Sequence, residues 1–253
     1  MTAKITSPQQ KQIERIMTDA LGNTNPTKAD AQRLIERGDE LKTRLEQMLM
    51  ELGVDDGETS SQRAVRKIMG KNFLGIPEVV EHFGAISPAD LLALQQIPFD
   101  EETLKACADT HILVADVGLS LLDVRQKARK GLFYSQDWFD NEEFAKRTET
   151  ARWRLIRKNP VDGSFSKNWS EQQALIDDSI SEVPSARQLV YTMILHFLST
   201  GERLFEKVYV RTCDVGSDGN RVHVGLFDGF GLDVHRWDDG VRDSSVGVAS
   251  SRK

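Results

Sequence analysis

Between Val208 and Arg252, a stretch of about 45 residues, the chain contains no Lys, Glu, Gln or Met, although these four types make up roughly a quarter of residues 1–207. At that rate chance supplies about ten of them. All four favour helices, so part of their loss argues for strands and turns. The residues that remain agree. The stretch is rich in Gly and Asp, and side chains alternate with period two: Val222 and Val224 against Arg221 and His223, then Leu232 and Val234 against Asp233 and His235. The pattern predicts antiparallel strands with an apolar face turned inward and a second face offering His, Asp and Arg to solvent.

The chain before this stretch is mainly helical. Ser7 with Pro8 opens a helix through Leu21, and Thr27 caps a longer one from Lys28 to Leu52, with Gly53 at its end. In the longer helix Leu34, Leu41, Leu45, Met48 and Leu52 form a narrow apolar stripe, which suits either a coiled-coil oligomerisation or docking arm or packing on neighbouring helices. From about residue 76, Ile76-Pro77, Ser87-Pro88 and Pro98-Phe99-Asp100 punctuate short amphipathic stretches. The run His111 to Val117 fits a buried strand or the start of a helix continuing through Leu122 and Val124, and is read as helix. Phe133, Tyr134, Trp138, Phe139 and Phe144 read as core where the helical part meets the C-terminal part, the other reading being a cleft lining. Near Ala151 the character changes. Trp153 to Ile156 reads as a strand, Ser170 to Ile176 as a short helix, and Pro184 to Thr200 as a strongly apolar helix stopped by Gly201. The expected class is α+β, with a helical N-terminal region over residues 1–150 and mostly antiparallel strands in residues 151–253.

Composition narrows the function classes. A formal net charge of -6 over 253 residues gives no attraction to phosphate backbones or anionic lipid, so neither nucleic acid nor membrane is an expected partner. Met1 to Gln12 is polar, and no run approaches the roughly 18 apolar residues of a membrane span, which makes the cytoplasm the default compartment. Cys107 and Cys213 lie far apart without CxxC spacing and read as free thiols. An EF-hand beginning at Asp214 fails where Gly216 and Gly225 stand in place of ligands. GxSxG, HExxH, GxxxxGK[ST] and GxGxxG elements are missing. No cofactor, metal or catalytic residue is expected. His223 and His235 beside Asp233 form an acid–base set on paper, but exposed histidines on such a face are ordinary surface.

Strand preference does not explain why Asp and Arg stay plentiful while Glu and Lys vanish; a coding argument does. Randomising the adenines of AAC or AAT codons reaches Phe, Leu, Ile, Val, Ser, Pro, Thr, Ala, Tyr, His, Asn, Asp, Cys, Arg and Gly, but never Lys, Glu, Gln, Met or Trp. Framework codons between such sites must avoid adenine, which suits Val222, Val224, Gly225, Phe227, Gly231, Leu232, Trp237, Gly247, Val248 and Ala249. Asp214, Asp218, Asn220, His223, Asp233, His235 and Asp243, whose codons require adenine, then mark randomised positions.

Taken with Trp153-Arg154-Leu155-Ile156, Val183-Pro184-Ser185-Ala186-Arg187, Val210-Arg211-Thr212, Gly219-Asn220-Arg221-Val222, Trp237-Asp238-Asp239 and the closing Val246 to Lys253, residues 151–253 resemble the variable target proteins of diversity-generating retroelements. In those systems an error-prone reverse transcriptase rewrites the 3′ end of a target gene. The resemblance implies a C-type-lectin-like domain of the formylglycine-generating-enzyme branch, with a terminal strand, Val246 to Ser250, returning beside Trp153 to Ile156. It implies a receptor-like protein whose variable region, about 213–245, contacts a protein or other macromolecular ligand. The residues expected to make that contact are Cys213, Asp214, Gly216, Ser217, Asp218, Asn220, His223, Leu226, Gly229, Phe230, Asp233, His235, Arg236, Gly240, Val241, Asp243, Ser244 and Ser245. The alternatives are a metal- or cysteine-dependent enzyme of the same fold, which the lack of a cysteine partner for Cys213 speaks against, and a helical assembly protein.

Overall fold

A computed structural model describes residues 7–24, 26–38, 40–42, 44, 58–128 and 130–253. The chain divides into two compact units, one ending at Leu49 and one beginning at Met50. In the first, α1 spans Ser7–Thr24 and α2 spans Lys28–Glu36. Thr27 and Asp30 close a reciprocal capping box at the start of α2, satisfying amides that the first helical turn leaves free. A turn at Arg37 interrupts the expected continuous helix, and helical residues resume beyond it. Ile16, Leu21 and Ile35 are exposed. Leu45, Met48, Leu52 and Gly53, which complete the expected stripe and its stop, lie outside the described residues. No described helix is long and apolar enough to cross a membrane.

The second unit is α+β. Six short helices come first or intervene: α3 (Ser60–Met69), α4 (Ile76–Phe83), α5 (Pro88–Ala93), α6 (Glu101–Cys107), α7 (Leu121–Lys127) and α8 (Glu143–Lys146). They surround β1 (Phe73–Leu74) and β2 (His111–Asp116). Next in the chain are β3 (Arg152–Arg157), α9 (Trp169–Gln173), β4 (Ser181–Glu182), α10 (Ala186–Thr200), β5 (Tyr209–Val215), β6 (Arg221–Asp228), β7 (Gly231–Trp237), β8 (Val246–Val248) and β9 (Ser251–Arg252). The strands form two sheets, ordered β1-β2-β3-β9-β4 and β7-β6-β5-β8. All pairings except β1 with β2 and β5 with β8 are antiparallel.

Helix α10 is the hub of the core. Ser185 caps it in a box with Gln188, and Gly201 ends it at φ 76°, the left-handed cap that glycine adopts without a Cβ penalty. Every residue from Ala186 to His196 is buried, so the helix is enclosed around its whole circumference. Val222, Val224, Leu232 and Val234 on the second sheet are all at 0% exposure and join the same core.

Two expectations are corrected here. His111 to Asp116 is a strand, hydrogen-bonded between β1 and β3, and not the start of a helix. Ile112 to Asp116 are buried on both faces, so the run carries no period for sequence to display. Gly118, at φ 74° and with Glu149 O where a Cβ would stand, turns the chain before Ser120 caps α7. The terminal segment does return to β3, but through Ser251 and Arg252 paired with Ile156 and Leu155; Val246 to Val248 instead run parallel to β5. One seven-residue stretch, 246–252, thereby completes both sheets. Strands from either side of residue 150 share the first sheet.

A buried ion cluster ties these elements together. The Arg187 guanidinium on α10 grips Asp116 of β2 with both ends, at 2.9 and 2.6 Å, while Arg154 of β3 donates to Asp116 and to Glu149. Asp116, Arg154 and Arg187 are at most 3% exposed. Burial works against the Asp116 charge, but the two guanidiniums outweigh it and hold the carboxyl below its usual range.

Candidate ligand-binding surface

The face of β5–β6–β7 opposite the valines carries rows set by register. Tyr209, Gly225 and Asp233 are cross-strand neighbours, as are Arg211, His223 and His235, with Arg221 and Trp237 paired beyond them. Gly225 has no side chain to separate Tyr209 from Asp233, and the Tyr209 hydroxyl donates to the Asp233 carboxylate. Burial and this carboxylate push the Tyr209 phenol well above its ordinary range. At Gly225 the strands approach so closely that a Cβ would stand 2.1 Å from Val208 O.

His223 does not reach solvent, contrary to the outward face that alternation implies. It is at 0% exposure, with the Tyr209 and Trp237 rings each 4.8 Å away and His235 stacked on it at 5.3 Å. Alternation assigned the correct side of the sheet, but aromatic neighbours cover it. Neither ring nitrogen has a hydrogen-bond partner among the described residues, and burial, followed by the charge of His235, drives its pKa down to about 3. His223 therefore acts as a neutral packing group under the surface.

Above it lies a cleft of about 540 Å³ lined by Tyr134, Gln136, Trp138, Asp218, Asn220, Asp233, His235 and Arg236. Five of these are expected contact residues. The other three come from a segment that docks along β7: Phe133 bridges to Leu232, and Tyr134 N–H donates to Leu232 O at 3.0 Å. The Trp138 indole donates to Val234 O at 2.8 Å. Gly231, at φ 112°, permits this docking, since a Cβ there would stand 2.5 Å from the Phe133 backbone. Within the cleft Arg236 lies over the Trp138 ring at 4.0 Å and pairs with Asp218. That pairing, with the Asn220 hydrogen bonds, lowers Asp218 to about 2.

The remaining expected residues fall into three places. Leu226 sits at φ 40° in a bulge within β6, and in the β6–β7 turn Gly229 is exposed and Phe230 is 80% exposed. Gly240, Val241, Asp243, Ser244 and Ser245 lie in the loop leading to β8, where Gly240 and Ser244 are exposed. This loop is fastened from beneath through its main chain. Buried Arg211 donates to Val241 O at 2.6 Å, Trp169 N–H to Asp239 O at 2.9 Å, and Ser166 N–H to Asp243 O at 2.9 Å. Arg221 lies 3.9 Å over the Trp169 ring and pairs with Asp239.

At the far end of β5, Ser217 is exposed and bonds Glu142 through both its N–H and its hydroxyl, while Gly216 is buried against Asp218 and Arg236. Asp214 is only 5% exposed and accepts from Ala186 N–H at 2.8 Å, so it is a helix-end partner, and burial raises its pKa. Solvent reaches Cys213, yet desolvation by its surroundings and the Asp214 charge push its thiol up to about 11. A thiol so placed is protonated at neutral pH and a poor nucleophile. No group of three or more His, Cys, Asp or Glu side chains converges as a metal-ligand set among the described residues.

Nothing matches this chain in comparisons with protein-family models, curated proteins or solved structures.

Sequence reasoning missed Gln136 and read Tyr134 and Trp138 as core, with a cleft lining as the other reading. Phe139 and Phe144 are core, at 0% and 3% exposure, while Tyr134 and Trp138 form the cleft wall. The interleaving of Tyr134 and Trp138 with polar Ser135, Gln136 and Asp137 was the available signal.

Proposed function

We propose that residues 213–245 form the ligand-contacting surface of a sequence-diversified binding protein, a variable protein of the retroelement class carried on a lectin-like domain. One observation carries this reading: the scaffold holds the surface by main-chain atoms. Arg211 grips Val241 O, Trp169 and Ser166 grip the carbonyls of Asp239 and Asp243, the Trp138 indole grips Val234 O, and Arg221 grips Cys213 O at 3.1 Å. A carbonyl is the same whichever side chain its residue bears, so replacing those side chains leaves the fastenings intact. Recognition sites are commonly mounted in this manner, with a fixed scaffold under interchangeable residues. Exposed Phe230 in the β6–β7 turn and exposed Tyr134 in the cleft lining supply the aromatic anchors that protein ligands use. Buried Asp214 and His223 belong to the scaffold in this reading.

The Cys213 thiol, held protonated, supports binding over cysteine chemistry. In the N-terminal unit, exposed Ile16, Leu21 and Ile35 support a docking or self-association role.

Two measurements test the reading. The DNA beside the gene is expected to hold a near-copy of the region encoding residues 213–253, with Asn codons at the diversified positions, next to a reverse-transcriptase gene. In parallel, a library randomised at Ser217, Asp218, Asn220, Phe230, His235 and Ser244 is expected to yield mostly folded proteins. Absence of the repeat together with a mostly unfolded library overturns the proposal.

A further inference from the structure

Arg236 displays how this cleft holds a cation: over the Trp138 ring, with the Asp218 carboxylate at its edge. The cleft has a second carboxylate, Asp233, for which no cationic partner occurs among the described residues. One of its oxygens accepts from Tyr209, while Oδ1 is closed off from water and has no hydrogen-bond partner among the described residues. The Gln136 amide nitrogen, on the same lining, is likewise buried and unpartnered. A carboxylate oxygen removed from water and left without a donor is costly, and its poorly screened charge acts strongly on any cation brought near.

The surroundings suit such a cation. Tyr134 is 51% exposed at the rim, and His235 adds a further ring. Asp218 and Asp233 against Arg236 leave the lining one formal negative charge, on a chain of net charge -6 that repels no basic partner. A volume of about 540 Å³ has room for one long side chain.

We infer that the cleft receives a lysine or arginine side chain projecting from a protein partner, seated between Tyr134 and the Asp233 carboxylate. The inference rests on the binding reading above and names the partner chemistry of that site. Rotation of the exposed His235 side chain opens Oδ1 to the cation while Tyr134 stays in place as its stacking ring, and the Gln136 amide oxygen accepts a second donor after rotation.

The test titrates the full chain with N-acetyl-arginine amide and N-acetyl-lysine amide, with N-acetyl-glutamine amide and N-acetyl-glutamate amide as neutral and acidic counterparts. The indole N–H resonance of Trp138 is followed by NMR. Saturable shifts of Trp138 with the two cationic amides, and not with the other two, are expected. Asp233→Asn is expected to weaken that binding about tenfold, and Tyr134→Ala, at an exposed position, to weaken it without disturbing the fold. An unmoved Trp138 resonance, an equal response to the glutamine amide, or unchanged affinity in Tyr134→Ala overturns the inference. Gene neighbourhood and library tolerance judge the diversified surface separately, so a tolerant library with a cleft indifferent to cations sinks only the cationic anchor.

Discussion

The Arg211 guanidinium, at 0% exposure, holds the main-chain carbonyl of Val241 at 2.6 Å and also donates to Lys167 O and Gln172 Oε1. The 238–245 loop is thus shaped by a residue outside it. Arg211→Met is expected to cost about 2–3 kcal/mol by stranding three acceptors, whereas Val241→Thr and Ser244→Ala stay within about 0.5 kcal/mol. Urea unfolding of the three variants checks this; equal losses at Arg211 and Val241 would show that the loop depends on its own side chains.

His223 makes stability sensitive to acid. Its pKa is about 3 in the folded chain against 6.5 for the free side chain. The unfolded chain therefore binds more protons between these values, and stability falls as pH drops from about 6.5 toward about 3. His223→Phe preserves the ring contacts with Tyr209 and Trp237 and removes two nitrogens that have no hydrogen-bond partner among the described residues. It is expected to gain up to about 1 kcal/mol at pH 7 and to flatten the decline between pH 6.5 and about pH 4. Denaturant melts at pH 7, 5 and 4 measure the slope, and an unaltered slope refutes the assignment.

Asp116 contributes in the opposite part of the acid range. Its carboxyl is held below the ordinary value, so its stabilisation is complete above the unfolded pKa of about 3.9 and is lost as pH falls through the folded value. Asp116→Asn leaves Arg154 and Arg187 buried without their charge partner and is expected to cost about 3–5 kcal/mol. Thermal unfolding at pH 7 reads the loss; a change under about 1 kcal/mol would mean that the cluster tolerates a neutral centre.

Gly225 is a backbone requirement. Any side chain there meets Val208 O and Tyr209 Cα. Gly225→Ala is expected to cost about 3 kcal/mol or more, while Gly229→Ala, in open space, changes stability by less than about 0.5 kcal/mol. Circular dichroism melts of the pair decide it.

Where one local rule dominates, the chain could be read directly. Ser185 and Gly201 bracket α10, and alternation placed Val222, Val224, Leu232 and Val234 inside. Where contacts are long-range it could not. The Trp138 indole reaches a carbonyl 96 residues away, so the polar interleaving of residues 134–138 hints at exposure but does not show what the segment docks against. The run at His111 is buried on both sides and has no period to reveal its geometry. At His223 the period names a side of the sheet but says nothing about the rings of Tyr209 and Trp237 that roof it.

Strand β9 lies between β3 and β4, and β8 beside β5, so both sheets wait for residues 246–252. Those residues come after every candidate contact position, and a nascent chain holds neither sheet complete until they have been translated. A frameshift or premature stop among the contact positions deletes β8 and β9 together. A chain without them lacks the strand between β3 and β4 and the parallel neighbour of β5, and such a truncated product is expected to stay unfolded and go to proteolysis.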